Sequence, residues 1–232
     1  MENQKKILKK QTNPSTRFTF WMISLVAVCL LAFIFLGYHQ KTQDGSTTIS
    51  IDYSNEPFLG DKSASVSIIE FGDYKCPGCK NFNESVVPEI QKDLIDTGKV
   101  KLYFMNYSFI NVDSERAAQF AESVYQELGN DTFWKFHNLL YKNLNPNDEK
   151  VDVLTKKYLT DTLKSIASQE DVDKVVKNFD AKKSYAAWKK DMNYAEKLGV
   201  SGTPTLLVNG KLFSGQSLDE LKNMIDNVAK GE

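Results

Sequence analysis

The chain has 232 residues, 41% of them hydrophobic, with 12 glycines and 6 prolines, an ordinary globular composition long enough to bury a core without covalent staples. The net charge of −1 conceals an asymmetry, because residues 1–38 carry five Lys and Arg against one acid and leave 24 basic and 29 acidic residues, a net of −5, in the remainder. That balance argues against electrostatic binding of nucleic acid by the main domain.

In chain order, a basic segment (1–17) precedes Phe18 to Tyr38, 21 residues without Asp, Glu, Lys, Arg or His. A helix needs about 20 such residues to cross a bilayer. The run is longer than the apolar part of a signal peptide, and no small-residue cleavage pattern follows it. It is expected to be an uncleaved transmembrane anchor, with Trp21 and Tyr38 near its ends and Cys29 as an apolar filler within it. Lysines before the span put residues 39–232 outside the cytoplasm, which makes the expected location the cell membrane, single-pass, in a compartment where disulfides persist.

Residues 39–60 are polar and read as a tether. "SVSIIEF" (65–71) is β-branched and apolar and reads as a buried strand running into Cys76. Pro77 suits the first turn of a helix, which is expected to reach about Val87, break or kink at Pro88, resume to Asp96 and stop at Gly98. "KVKLYFMNY" (99–107) is a second strand. From Ser114 to Lys190 helix follows helix, and a last long helix is expected over 181–198, ending at Gly199. "GTPTLLVNGKLFSG" (202–215) has the form of a β-hairpin turning at Asn209-Gly210, and Ser217 with Glu220 caps a closing helix over 218–230. The domain reading is therefore a first α/β part over 61–112, a helical insertion over 113–190 and a second α/β part over 191–232.

The chemistry concentrates in "CPGC", residues 76–79. A structural zinc site needs four ligands in most cases, and beyond this pair the chain offers only Cys29, His39 and His137. No metal is expected; His137 falls among apolar neighbours and reads as a packed core histidine. A disulfide stabilises by closing a loop, and a bridge between residues three apart closes almost none. A redox pair makes better use of the placement, since the N–H groups and dipole of a helix start stabilise a thiolate on Cys76. Cys79, one turn further in, is expected to be less exposed.

The strand bearing Glu70, the CxxC that opens a proline-containing helix, the helical insertion and the "GTPT" before a hairpin together resemble the thioredoxin fold. Over roughly residues 55–230 the chain resembles the DsbA-like thiol-disulfide oxidoreductases, including the membrane-anchored disulfide-forming proteins of Gram-positive bacteria. The fold that this implies is α/β, a thioredoxin fold with an inserted helical subdomain, preceded by the transmembrane helix. By the resemblance Cys76 is the nucleophile that forms a mixed disulfide, Cys79 resolves it, Pro204 is a cis-proline facing the pair, Thr203 offers its backbone to substrate, and Glu70 is the buried acid that moves a proton for Cys79. The Pro77-Gly78 dipeptide departs from strongly oxidising relatives, which often carry a histidine before the second cysteine.

The implied function is introduction of disulfide bonds into reduced exported proteins by a monomer, reoxidised by an integral membrane, quinone-linked thiol oxidase. The alternatives are an extracytoplasmic reductase or isomerase, or a non-redox peptide-binding chaperone. No cofactor beyond the disulfide is expected, since no local calcium loop is present, although acidic and amide side chains over 111–180 could converge in space.

Overall fold

The computed structural model describes residues 51–231. Its elements in chain order are β1 (Phe58–Leu59), β2 (Val66–Gly72), α1 (Pro77–Asn81), a π turn (Phe82–Val86), α2 (Val87–Ile90), a second π turn (Gln91–Ile95) and β3 (Val100–Asn106). There follow α3 (Val112–Asn143), a 3₁₀ turn (Pro146–Asp148), α4 (Lys156–Lys164), α5 (Gln169–Asp180), α6 (Tyr185–Lys197), β4 (Thr205–Val208), β5 (Lys211–Leu212) and α7 (Leu218–Lys230).

The sheet has the order β1-β3-β2-β4-β5, with β2 and β3 parallel and the other pairs antiparallel. β2 is central and, apart from Ser67 and Glu70, apolar, as suits a strand with both faces covered. Val66 and Ile68 pack with Phe82, Ile90, Leu102, Leu221 and Ile225. Ile69 and Phe71 face the other way, against Met105, Ala195, Val200 and Leu207. A third cluster, built from Phe120, Phe133, Phe136, Leu159, Leu163 and Val175, is the insertion's own core, and it takes in Tyr74, Cys76, Cys79 and Phe104. The cysteines thus sit at a seam where the insertion closes over the end of the sheet.

The helical path after Cys76 differs from the expected break at Pro88. It runs on through Pro88, because in the preceding π turn the ladder has slipped by one residue, with Val87 N–H donating to Phe82 C=O. Gly98, at φ +76°, ends the path as expected. α3 is two helices that meet at a kink at Gly129 (φ 77°, ψ −174°). The helix expected over 181–198 begins only at Tyr185, because Lys182 and Lys183 turn back to cap α5 through Phe179 C=O and Asn178 C=O, with Lys182 at φ +54°. Asn209 and Gly210, at φ 46° and 80°, make the hairpin turn, and α7 starts on a Ser217–Glu220 capping box.

One expectation is corrected. The anchor expected over 18–38 lies outside the described residues, and among those described no helix is long and apolar enough to cross a membrane. α3, the longest, is interrupted at Gly129 and carries Asp113, Glu115, Arg116, Glu122 and Glu127. The fold is therefore a thioredoxin fold with an inserted helical subdomain. The membrane helix, the cell-membrane location and the membrane-held reoxidant that rested on it receive no support here.

Candidate active site

Cys76 is the N-cap of α1, in extended conformation (φ −83°, ψ 118°), with Pro77 at the first helical position. Proline is favoured there because its missing N–H is one that the helix would leave unpaired anyway. An N-cap side chain points back at the free N–H groups of the first turn, and Cys76 Sγ accepts the Cys79 N–H at 3.4 Å. Its own S–H donates to the Thr203 carbonyl at 3.2 Å. Both cysteines are free thiols; Cys76 is 7% exposed and Cys79 fully buried.

These contacts separate the two sulfurs electrically. Cys76 is pulled down to about 6, first by the thiol hydrogen bond from Cys79, then, against burial, by the Thr203 side chain and the N–H groups of Cys79 and Gly78. Cys79 goes well up, through burial, its donation to Cys76 and the nearby Glu70 carboxylate. Such a pair has one sulfur ready to act as a thiolate and one that holds its proton.

The Thr203–Pro204 peptide is cis. Pro204 lies against the dipeptide between the cysteines, since a Cβ on Gly78 would come 3.1 Å from Pro204 Cδ and 3.5 Å from Cys76 Sγ. Glu70 is in the central strand, opposite Phe104 on one side and Leu206 on the other. It is 1% exposed. Its carboxyl is pushed up to about 8 by burial and then by the Cys76 thiolate, and its Oε1 has no partner among the described residues. Cys76, Cys79, Glu70, Thr203 and Pro204, far apart in the chain, thus meet at one end of β2.

A family model described as thioredoxin matches residues 52–227. The chain is 36% identical over 197 residues to disulfide bond formation protein D of Bacillus subtilis, covering 84% of this chain and 87% of that protein. A probable disulfide bond formation protein D of Bacillus anthracis is 35% identical over 178 residues, covering 77% and 80%. The crystal structure of oxidised BdbD from Bacillus subtilis superposes with a TM-score of 0.71 at 35% identity, covering 78% of this chain and 96% of that one. The chain belongs to the thioredoxin family, as a DsbA-like thiol-disulfide oxidoreductase.

Around this DsbA-like centre lie two residues that sequence reasoning did not single out, Asp73 and Lys80. Asp73 fixes the turn before Cys76. Its Oδ1 accepts the Lys75 N–H at 2.8 Å, its Oδ2 the N–H groups of Phe109 and Ile110 at 2.9 and 3.1 Å, and its carbonyl the Cys76 N–H and the Tyr141 hydroxyl. Lys80, just past Cys79, donates to the carbonyls of Tyr141 and Lys142 at the end of α3. His137 is buried among Tyr74, Phe104, Phe133, Trp134 and Tyr141, with Nδ1 3.1 Å from Tyr74 Oη, and burial pushes it down to about 3. It is a neutral core histidine.

A second acidic region lies apart from the cysteines. Glu56, Glu122 and Asp191 are buried with carboxylate oxygens within 4.8 Å of one another, a set that could hold a cation. Asn106 Nδ2 donates to Glu122 at 2.7 Å and to Asp191 at 3.0 Å, and Lys190 Nζ is 2.6 Å from Glu56. Of these acids only Glu122 falls in the stretch where the sequence suggested convergence, because the other two come from the segment before β1 and from α6.

Proposed function

We propose that the protein is a disulfide donor to reduced client proteins. A client thiolate attacks Cys76 Sγ of the oxidised pair, the Cys76–Cys79 bond breaks, and Cys79 leaves with the electron pair. Glu70, protonated at neutral pH because it is held at about 8, is the acid that passes its proton to the Cys79 sulfur. A second client thiolate then attacks the client sulfur of the mixed disulfide, and Cys76 departs as a thiolate. The client is oxidised by two electrons and the pair reduced by two. Thr203 and Pro204 are the backbone against which the client strand lies.

The observation that carries this reading is the Cys76 sulfur at the helix N-cap, where it accepts the Cys79 N–H at 3.4 Å and its thiol is lowered to about 6. Whatever stabilises the reduced form makes the disulfide a better oxidant and Cys76 a better leaving group. The names of the Bacillus relatives support the same direction. A reductase is the second reading, because a value near 6 lies closer to thioredoxin's, about 7, than to DsbA's, about 3.5. Equilibration of the full chain with glutathione buffers decides between them. A reduction potential near DsbA's, about −120 mV, fits the donor, and one near thioredoxin's, about −270 mV, gives first place to the reductase.

A further inference from the structure

Lys75, the residue directly before Cys76, has a side chain with no exposed surface. Its Nζ donates to Asp113 Oδ2 at 3.0 Å and to the Val151 carbonyl at 2.7 Å. The same Asp113 oxygen accepts the N–H groups of Val153 and Leu154 at 2.8 and 3.0 Å, while Asp113 Oδ1 has no partner among the described residues. Ammonium and carboxylate are thus both held by the backbone of 151–154, the segment leading from the 3₁₀ turn to α4.

Stability alone does not explain this pair. Desolvating two ions is costly, and apolar side chains of similar volume often join elements as well or better. What the charged pair adds is direction. The Lys75 N–H is fixed on Asp73 Oδ1 and the next N–H, that of Cys76, on the Asp73 carbonyl at 3.0 Å. With the side chain pinned as well, the peptide entering Cys76 cannot rotate at either end. That backbone carries Cys76, whose Sγ lies against the Cys79 N–H and the Thr203 carbonyl.

We propose that Lys75 is a positioning residue for thiol–disulfide exchange: through its pair with Asp113 it fixes the turn that holds the Cys76 sulfur against the Cys79 N–H, and so sets how readily Cys76 becomes a thiolate. The inference rests on Cys76 being the exchanging sulfur. The titratable and charged groups around Cys76 are Cys79 and Lys80 on the same helix, Glu70 from β2, Asp73, Tyr74 and Lys75 in the turn, and Asp113, His137 and Tyr141 from α3. Of these, Lys75 and Lys80 are the cations; Lys75 bonds to the insertion and Lys80 to Glu84 and the carbonyls at the end of α3, neither to the sulfur.

The test follows alkylation of Cys76 against pH in the reduced full chain, identified by peptide mass, in Lys75→Met and in the charge-neutral double variant Lys75→Met with Asp113→Asn. Thermal unfolding establishes which variants fold. With the anchor lost, the Cys76 midpoint rises by about one pH unit in both, and the thiolate fraction at pH 5 falls roughly tenfold. A midpoint unchanged from the natural chain in a folded variant overturns the inference. So does a rise in Lys75→Met that disappears in the double variant, because the cause is then Asp113's unbalanced charge rather than position. If Lys75→Met does not fold, the double variant is read alone by the same criterion. Exchange that survives Cys76→Ser would instead overturn the role of Cys76 itself, whatever Lys75 does.

Discussion

Glu70 and Glu122 are both buried carboxyls held at about 8, yet they belong to regions of opposite character. Under the cysteines, Glu70 stands alone in an apolar strand, raised by burial and by the charge on Cys76. In the Glu56–Glu122–Asp191 cluster burial and then Glu56 raise Glu122, while the Asn106 amide and Lys190 oppose the shift. Burial dominates in both, so the value alone does not mark a functional acid. What separates them is the neighbour that can exchange a proton: a thiol pair in one case, carboxylates, an amide and a lysine in the other.

That contrast can be broken experimentally, beginning with the largest effect. Cys76→Ser is expected to reduce exchange with a reduced peptide to background, while Cys79→Ser accumulates the mixed disulfide on Cys76, visible as a mass adduct. Next, Glu70→Gln is expected to slow turnover roughly 100- to 10,000-fold, the typical contribution of one acid–base group, and to leave the cysteines free to form their disulfide. Glu122→Gln is expected to leave turnover unchanged. Equal slowing by the two variants would erase the distinction.

The two acids should agree in stability. A carboxyl at about 8 in the folded state holds a proton that the unfolded chain has lost above about 4.5. Stability therefore falls as pH rises from about 4.5 to 8, by a few kcal/mol for each group. Either glutamine variant flattens that fall in denaturant titrations. Cys76 has the opposite sign: its thiol is lowered to about 6, so the reduced protein gains stability as pH rises from about 6 to 9. The oxidised protein lacks this gain, and comparing the two redox forms isolates it. The smallest effect is expected from Gly78→His. Its cation favours the Cys76 thiolate, but its Cβ must fit 3.1 Å from Pro204 Cδ, so a shift in reduction potential of about 30 mV, corresponding to roughly 1.4 kcal/mol, is expected.

The α/β frame was largely legible in the sequence because local chemistry specifies it. The β-branched run of 65–71, Pro77 at a helix start, Asn209-Gly210 and the Ser217–Glu220 box each act within a few residues. Cys76 and Cys79 were legible for the same reason, while the grouping of Glu70, Thr203 and Pro204 around them came from a family resemblance. The slipped helical ladder before Pro88 was not legible, since a proline can break, kink or be absorbed. Nor was the turn at Lys182, a residue with no special tolerance for positive φ. Lys75 drew no notice in the sequence because its partner Asp113 lies 38 residues away. The three-acid cluster draws on three separate segments, so no spacing announces it.

Gly72 leads from β2 into the turn, and a Cβ there would come 2.5 Å from the Phe104 ring and 3.1 Å from Tyr141 Oη. Asp73, Tyr74 and Lys75 after it are all buried. Every residue between strand and nucleophile is therefore committed to the interior, whereas Pro77 is half-buried and Gly78 exposed. Descendants of this chain could adjust their redox poise most readily at those two positions, a stretch of evolutionary latitude only two residues wide.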